Sequence, residues 1–109
     1  MRRPQPLKRL SRTDSVIQEI ANERRRQIEV ERWDAEHDDL HDLNELARVA
    51  ALYTHHAGTK SKAVPMGWPQ SWDESWWKPK DQRRDLVRAA ALIVAEIERL
   101  DRKSAAKAA

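Results

Sequence analysis

"DQRRDLVRAAALIVAEIERL", residues 81–100, decides the fold. Leu86, Ala90, Ile93, Ile97 and Leu100 recur at alternating spacings of four and three, and Val87 and Val94 widen the stripe. This is the repeat of a helix with one apolar seam. Asp81 stands where a short acidic side chain caps the first free backbone N–H groups. The spacing predicts a helix from Asp81 onward whose seam is core, packed antiparallel within a bundle or against a helix from another copy.

Working outward, two shorter helices precede it. Ser15 and Gln18 have the spacing of a capping box, which opens a first helix over about Val16 to Glu31. Val16, Ile17, Ile20, Ala21 and Ile28 share its apolar stripe, and the run "NERRRQIEVER" reads as the solvated face. The second helix has two possible starts. Asp34 could cap it early; the favoured reading has Asp42 as cap with Glu45 closing the box, so that Leu43, Leu46, Ala47, Ala50 and Tyr53 are buried. "EHDDLH" is then the connection between the first two helices, and the second ends near Gly58.

The expected fold is all-α: a small bundle of three main helices, with a long Trp/Pro-rich loop between the second and third. Residues 1–14 form a basic disordered leader, 15–102 a single helical domain and 103–109 an Ala/Lys tail. At 109 residues with 36% charged residues, no Phe and two Gly, the core must be small. Homo-oligomerisation would help it.

The charge is unevenly divided. The sequence pI is about 9.5, but eight of the 21 basic residues lie at the two ends, which leaves 13 against 18 acidic ones in the middle. Basic arms add weak, salt-sensitive attraction to nucleic acid; solubilising ends are the favoured reading. With no Cys, thiolate metal sites and disulfides are excluded. No apolar run resembles a secretory signal or a membrane span, so a cytoplasmic protein is expected.

Two neighbourhoods carry candidate chemistry. "WDAEHDDLHDLNEL", residues 33–46, contains no Lys or Arg. An early helix start would align His37, His41 and Glu45 on one face for a transition metal. A late start would project Asp38 and Asp39 from a turn, where oxygen ligands suit magnesium and Glu19 or Glu23 could complete the shell. The candidate metal set is therefore Glu23, His37, Asp38, Asp39, His41 and Glu45. Acidic residues ahead of a helix also favour its positive end with no metal at all.

The second neighbourhood is "WPQSWDESWWKPK" and the following "DQRRD". Here Trp76 and Trp77 could stack on a base while Lys78, Lys80, Arg83 and Arg84 hold phosphate. Alternatively the Trp side chains supply core volume in a chain without Phe, and at least two of Trp68, Trp72, Trp76 and Trp77 should do so. Glu98 and Asp101 give the ExxD half of a pattern found in all-helical nucleotide pyrophosphohydrolases. Its ExxE partner is not clean around Glu19 and Glu23.

Taken together, "ERRRQIEVERW", "EHDDLH", "ELARVAALY" and "WWKPKDQRRDLVRAAALIVAEIERLDR" resemble a family of small proteins of bacteriophage and prophage genomes, over roughly residues 16 to 102. Arg32 and Asn44 stand where the resembling proteins often have Gly, and Asp34 where they often show Thr-Pro or a similar cap. The resemblance implies a phage accessory protein, acting in the host cytoplasm, that binds something of the host's. The expected function is thus non-enzymatic: engagement of a host factor such as a defence component, or sequestration of a phosphate-bearing nucleotide. The alternative is a metal-dependent nucleotide phosphohydrolase built on the acidic turn, with magnesium or another divalent ion as cofactor.

Overall fold

In a computed structural model, residues 11–108 are described, and among them all regular structure is helical. The helices are α1 (Arg12–Glu29), α2 (Ala35–Asp39), α3 (Glu45–His55) and α4 (Gln82–Ala108), with one 3-10 turn at Glu74–Trp76. Three main helices make a small bundle, and the short α2 lies in the connection expected to be a plain turn. Most of the basic leader lies outside the described residues. The stretch assigned to the Ala/Lys tail continues α4 as far as Ala108.

α1 starts one turn earlier than the Ser15/Gln18 spacing suggests. Ser11 Oγ accepts the Asp14 N–H at 3.0 Å and the Asp14 carboxylate accepts the Ser11 N–H, a reciprocal capping box. The face α1 buries is also not the apolar stripe. Glu23, Arg24 and Gln27 are buried, while Ile17 and Ile28 reach the surface. Part of the charged run read as a solvated face is therefore the packing face, because Arg24 and Glu23 make ion pairs across the bundle as well as along the chain.

Arg24 shows how. Its guanidinium donates to Asp38 Oδ2 at 2.7 Å, to the Trp33 carbonyl at 3.0 Å and to Glu98 Oε1 at 3.0 Å. One side chain thus ties α1 to the following turn, to α2 and to α4. Asp38 is fully buried, so its charge is tolerable only with this partner.

The chain forms two helices here: the early start opens α2, and α3 begins at Glu45, three residues after the favoured Asp42. Asp34 Oδ1 accepts the His37 N–H and caps α2. The favoured Asp42 cap is not made. Asn44 is the residue at the α3 N-terminus, in the left-handed region (φ 66°) with no side-chain cap, and Glu45 turns back to accept the Leu43 N–H. Leu43, expected in the core, is exposed, whereas Leu46, Ala50 and Tyr53 are buried as expected. Arg32, in the turn between α1 and α2, also has φ 66°. Both residues hold a conformation that carries no steric penalty for Gly alone.

α4 is capped by Asp81, whose carboxylate accepts the Arg84 N–H. Its seam is a second correction. Leu86, Ile93, Ile97 and Leu100 are 42–54% exposed, and the buried positions are Val87, Ala89, Ala91, Leu92 and Ala95. Ala89 and Ala95 belong to the core shared with α3, where their small size lets the two helices approach closely. The repeat that identified the helix is therefore left largely uncovered by the described chain.

The core combines Leu46, Val49, Ala50 and Tyr53 of α3 with Leu92 and its alanine neighbours on α4 and with Trp33, Trp72 and Trp77. The long loop is a succession of turns rather than a slack segment. Trp68 and Trp72 N–H groups close onto the Pro65 and Pro69 carbonyls, and the Trp68 indole donates to the Trp72 carbonyl at 2.7 Å. Tyr53 fastens this loop to α3: its hydroxyl donates to the Trp76 carbonyl and accepts the Lys78 N–H.

Two outcomes follow. Arg24→Met leaves Asp38 buried without a counter-charge and should cost about 3–5 kcal/mol in urea unfolding, with part recovered by adding Asp38→Leu. Arg32→Gly should raise stability by about 0.5–1 kcal/mol, and Asn44→Gly by less, since Asn tolerates the left-handed region.

Candidate functional site

The acidic stretch and the Trp loop do meet, through their rings. α2 and the turn after it place His37 and His41 side by side, with ring centroids 4.7 Å apart. Trp72 packs edge-on against both, at 5.3 and 4.9 Å, and Trp33 and Trp76 close the nest around His37. Each imidazole has its Nδ1 on a carboxylate: His37 on Asp38 at 2.9 Å and His41 on Glu45 at 3.0 Å. That leaves Nε2 as the free ring nitrogen of each, and the Nε2 of His37 is buried with no described partner.

Glu45 is the hub of this corner. Besides His41 it accepts the Ser71 hydroxyl at 3.0 Å and the Leu43 N–H. Burial alone would raise its carboxyl pKa, but these hydrogen bonds outweigh burial and hold it below the ordinary carboxylate range. Glu45 and Ser71 also line an open cleft of about 660 Å³ between the start of α3 and the Pro69 turn. Leu40, Leu43, Trp68 and Pro69 form its apolar walls and Arg48 and Asp42 add charge. This volume lies in the range of ligand-sized clefts.

The remaining members of the proposed metal set are each tied to arginine. Asp38 is held by Arg24, and Asp39 pairs with Arg102 at 2.9 Å on the outer face. Glu23 sits between Arg26 and Arg84. Burial pushes its carboxyl pKa up, the two guanidiniums pull it down further, and the net effect is a lowered pKa. Among the described residues, no three His, Asp or Glu side chains are disposed to hold one ion. Each carboxylate already has a cation or imidazole, so the residues do not fit a magnesium shell as they stand.

The proposed phosphate set is likewise divided. Trp77 is buried against Tyr53, and Trp76 is half-buried in the ring nest. Trp72 and Trp77 are both core, as expected of at least two of the loop's indoles. Arg83 makes a paired contact with Glu19, Arg84 bonds Glu23, and Lys78 bonds Glu31. Hydrogen bonding from Arg83 lowers the Glu19 pKa. The Lys80 side chain is exposed, and its backbone N–H donates to Asp85. Arg83 and Arg84 brace α1 against α4, and Lys78 ties the loop to Glu31 just after α1.

Sequence reasoning missed the cleft. Leu40 and Leu43, bracketed by acidic residues, fall by sequence in the connection and the core, and Ser71 gives no signal without Glu45 beside it. Comparisons with protein-family models, with curated proteins and with solved structures return no match for this chain.

The pKa shifts set an acid limit. A carboxylate whose folded pKa is depressed stabilises the fold above its unfolded value, near 4.3 for Glu, and that contribution is lost as pH falls through the folded value. Glu45→Gln and Glu23→Gln should each cost about 2 kcal/mol at neutral pH and flatten the loss of stability below about pH 4.3 in denaturation measured against pH. A wild-type acid limb that neither substitution changes would overturn this assignment.

Proposed function

We propose that the chain is a phage-type accessory binding protein that engages a host protein through the cleft between α3 and the Trp loop. The observation that carries this reading is the exposure of large apolar side chains around it. Leu40 and Leu43, 78% and 75% exposed, stand on its rim, and Met66, 96% exposed, precedes the lining Gly67. Single exposed apolar residues need no explanation, but several around one concave surface mark a docking site. Arg48, Asp42, Gln70 and Ser71 supply the polar contacts that orient a partner.

Phage origin and a host target are drawn from the sequence resemblance. The geometry supports the protein-binding version over nucleotide sequestration, because a phosphate would have to displace Glu31, Glu19 or Glu23 from Lys78, Arg83 or Arg84, and Lys80 alone is too little to hold it.

One observation favours a second reading. The Glu45–His41 pair, with Ser71 on the same carboxylate, is the arrangement of an oriented general base beside a cleft. Under that reading the chain is a nucleotide phosphohydrolase, and His41 accepts the proton of an attacking water at Nε2.

Two assays separate these readings. Immobilised chain should retain a specific host protein that the Leu40→Asp/Leu43→Asp variant loses, with more than tenfold weaker binding of the purified partner. A nucleotide panel with magnesium or manganese should give no turnover. Turnover abolished by His41→Ala with binding absent would favour the hydrolase and sink the docking reading.

A further inference from the structure

We infer that α1 and α4 form a self-complementary face that pairs two copies of this chain antiparallel. The occupant is named by what the face offers. Leu86, Ile93, Ile97 and Leu100 keep a four-three repeat with Ala90, yet 42–54% of each large side chain is exposed. Such a repeat is useful to a partner that is itself a helix, since only a second helix inserts its side chains at that spacing.

Next to the seam's first residue lies a hole. Val16 and Ile20 of α1, with Leu86, Val87 and the stem of Arg83, line an open groove of about 250 Å³. Leu100, at the other end of the seam, is a projecting side chain of the size such a groove accepts. Knob and hole on one molecule, at opposite ends of one repeat, fit a twofold arrangement in which each copy fills the other's groove.

The register follows from the spacing. When Ile93 of one copy faces Ala90 of the second, large against small, Ile97 faces Leu86 and Leu100 reaches Arg83 and the groove. Charge agrees with this direction: Asp101 then lies beside Arg83 of the second copy, whereas a parallel pair would set Asp101 against Asp101. From Leu86 to Leu100 the seam runs roughly 21 Å, and with α1 alongside it is two helices wide. Two such faces remove on the order of 1,000 Å² in total, about the size a biological interface has to clear. The product is a bundle of two α1 and two α4 helices. The α2–α3 cleft takes no part in this packing scheme.

The experiment uses the full chain, whose lack of Cys makes disulfide mapping unambiguous. Sedimentation should give twice the 12.7 kDa chain mass. Ile97→Glu, at a site already half exposed, should return the mass to one chain with an unchanged helical circular dichroism signal, while Leu40→Glu should leave the dimer intact. On oxidation the Leu86→Cys/Ile97→Cys double variant should cross-link fully. Neither single variant should, because identical positions lie roughly 16 Å apart in this register, beyond disulfide reach. A wild-type chain that sediments as a monomer overturns the proposal and leaves the groove to the chain's own leader or a foreign helix. A dimer untouched by Ile97→Glu overturns the face, and cross-linking by the single variants overturns the direction.

Discussion

A buried guanidinium organises this protein. Arg24 lies within a bundle whose apolar content is too small to close by itself, and it is held there by a carboxylate on α2, a carbonyl in the preceding turn and a carboxylate on α4. Such a group is costly to desolvate and is stable only with every partner in place. The cost is converted into position: α2, only five residues long, could not persist alone, yet its Asp38 is fixed from below by Arg24 and its His37 from above by the indoles. The same strategy recurs at Arg88, buried under the loop over the Tyr53 ring, and at Glu23 between two arginines. Cross-helix ion pairs do here much of the orienting that larger aliphatic side chains do elsewhere.

This explains which parts of the fold were legible in the sequence. The three main helices could be read because periodicity and caps are local: Asp81 caps α4 as its position suggests, and Leu46, Ala50 and Tyr53 face inward as their spacing requires. The orientation of α1 was hidden because hydropathy assigns arginine and glutamate to water. Only the distant partners, Glu98 for Arg24 and Arg84 for Glu23, make the charged face the inner one. The seam of α4 misled for the opposite reason. It is a regular apolar repeat, but the inward positions are largely alanine and charged residues, which hydropathy does not assign to a core.

The candidate site was half legible. His37, Asp38, His41 and Glu45 do gather, though as hydrogen-bonded pairs beneath a cluster of indoles rather than as an open ligand set. The loop cations were nominated from their nearness in sequence to Trp76 and Trp77. Their true neighbours, Glu19, Glu23 and Glu31, come from the other end of the domain, a relation no local window contains.

The alanine face of α4 has a consequence for how this chain can vary. Ala89 and Ala95 sit where a larger side chain would wedge α3 away and, through Tyr53, unseat the whole indole loop. Two sides of one rod therefore live under unlike rules: the inner one admits almost no growth, whereas the outer one is free to change size so long as whatever covers it changes in step.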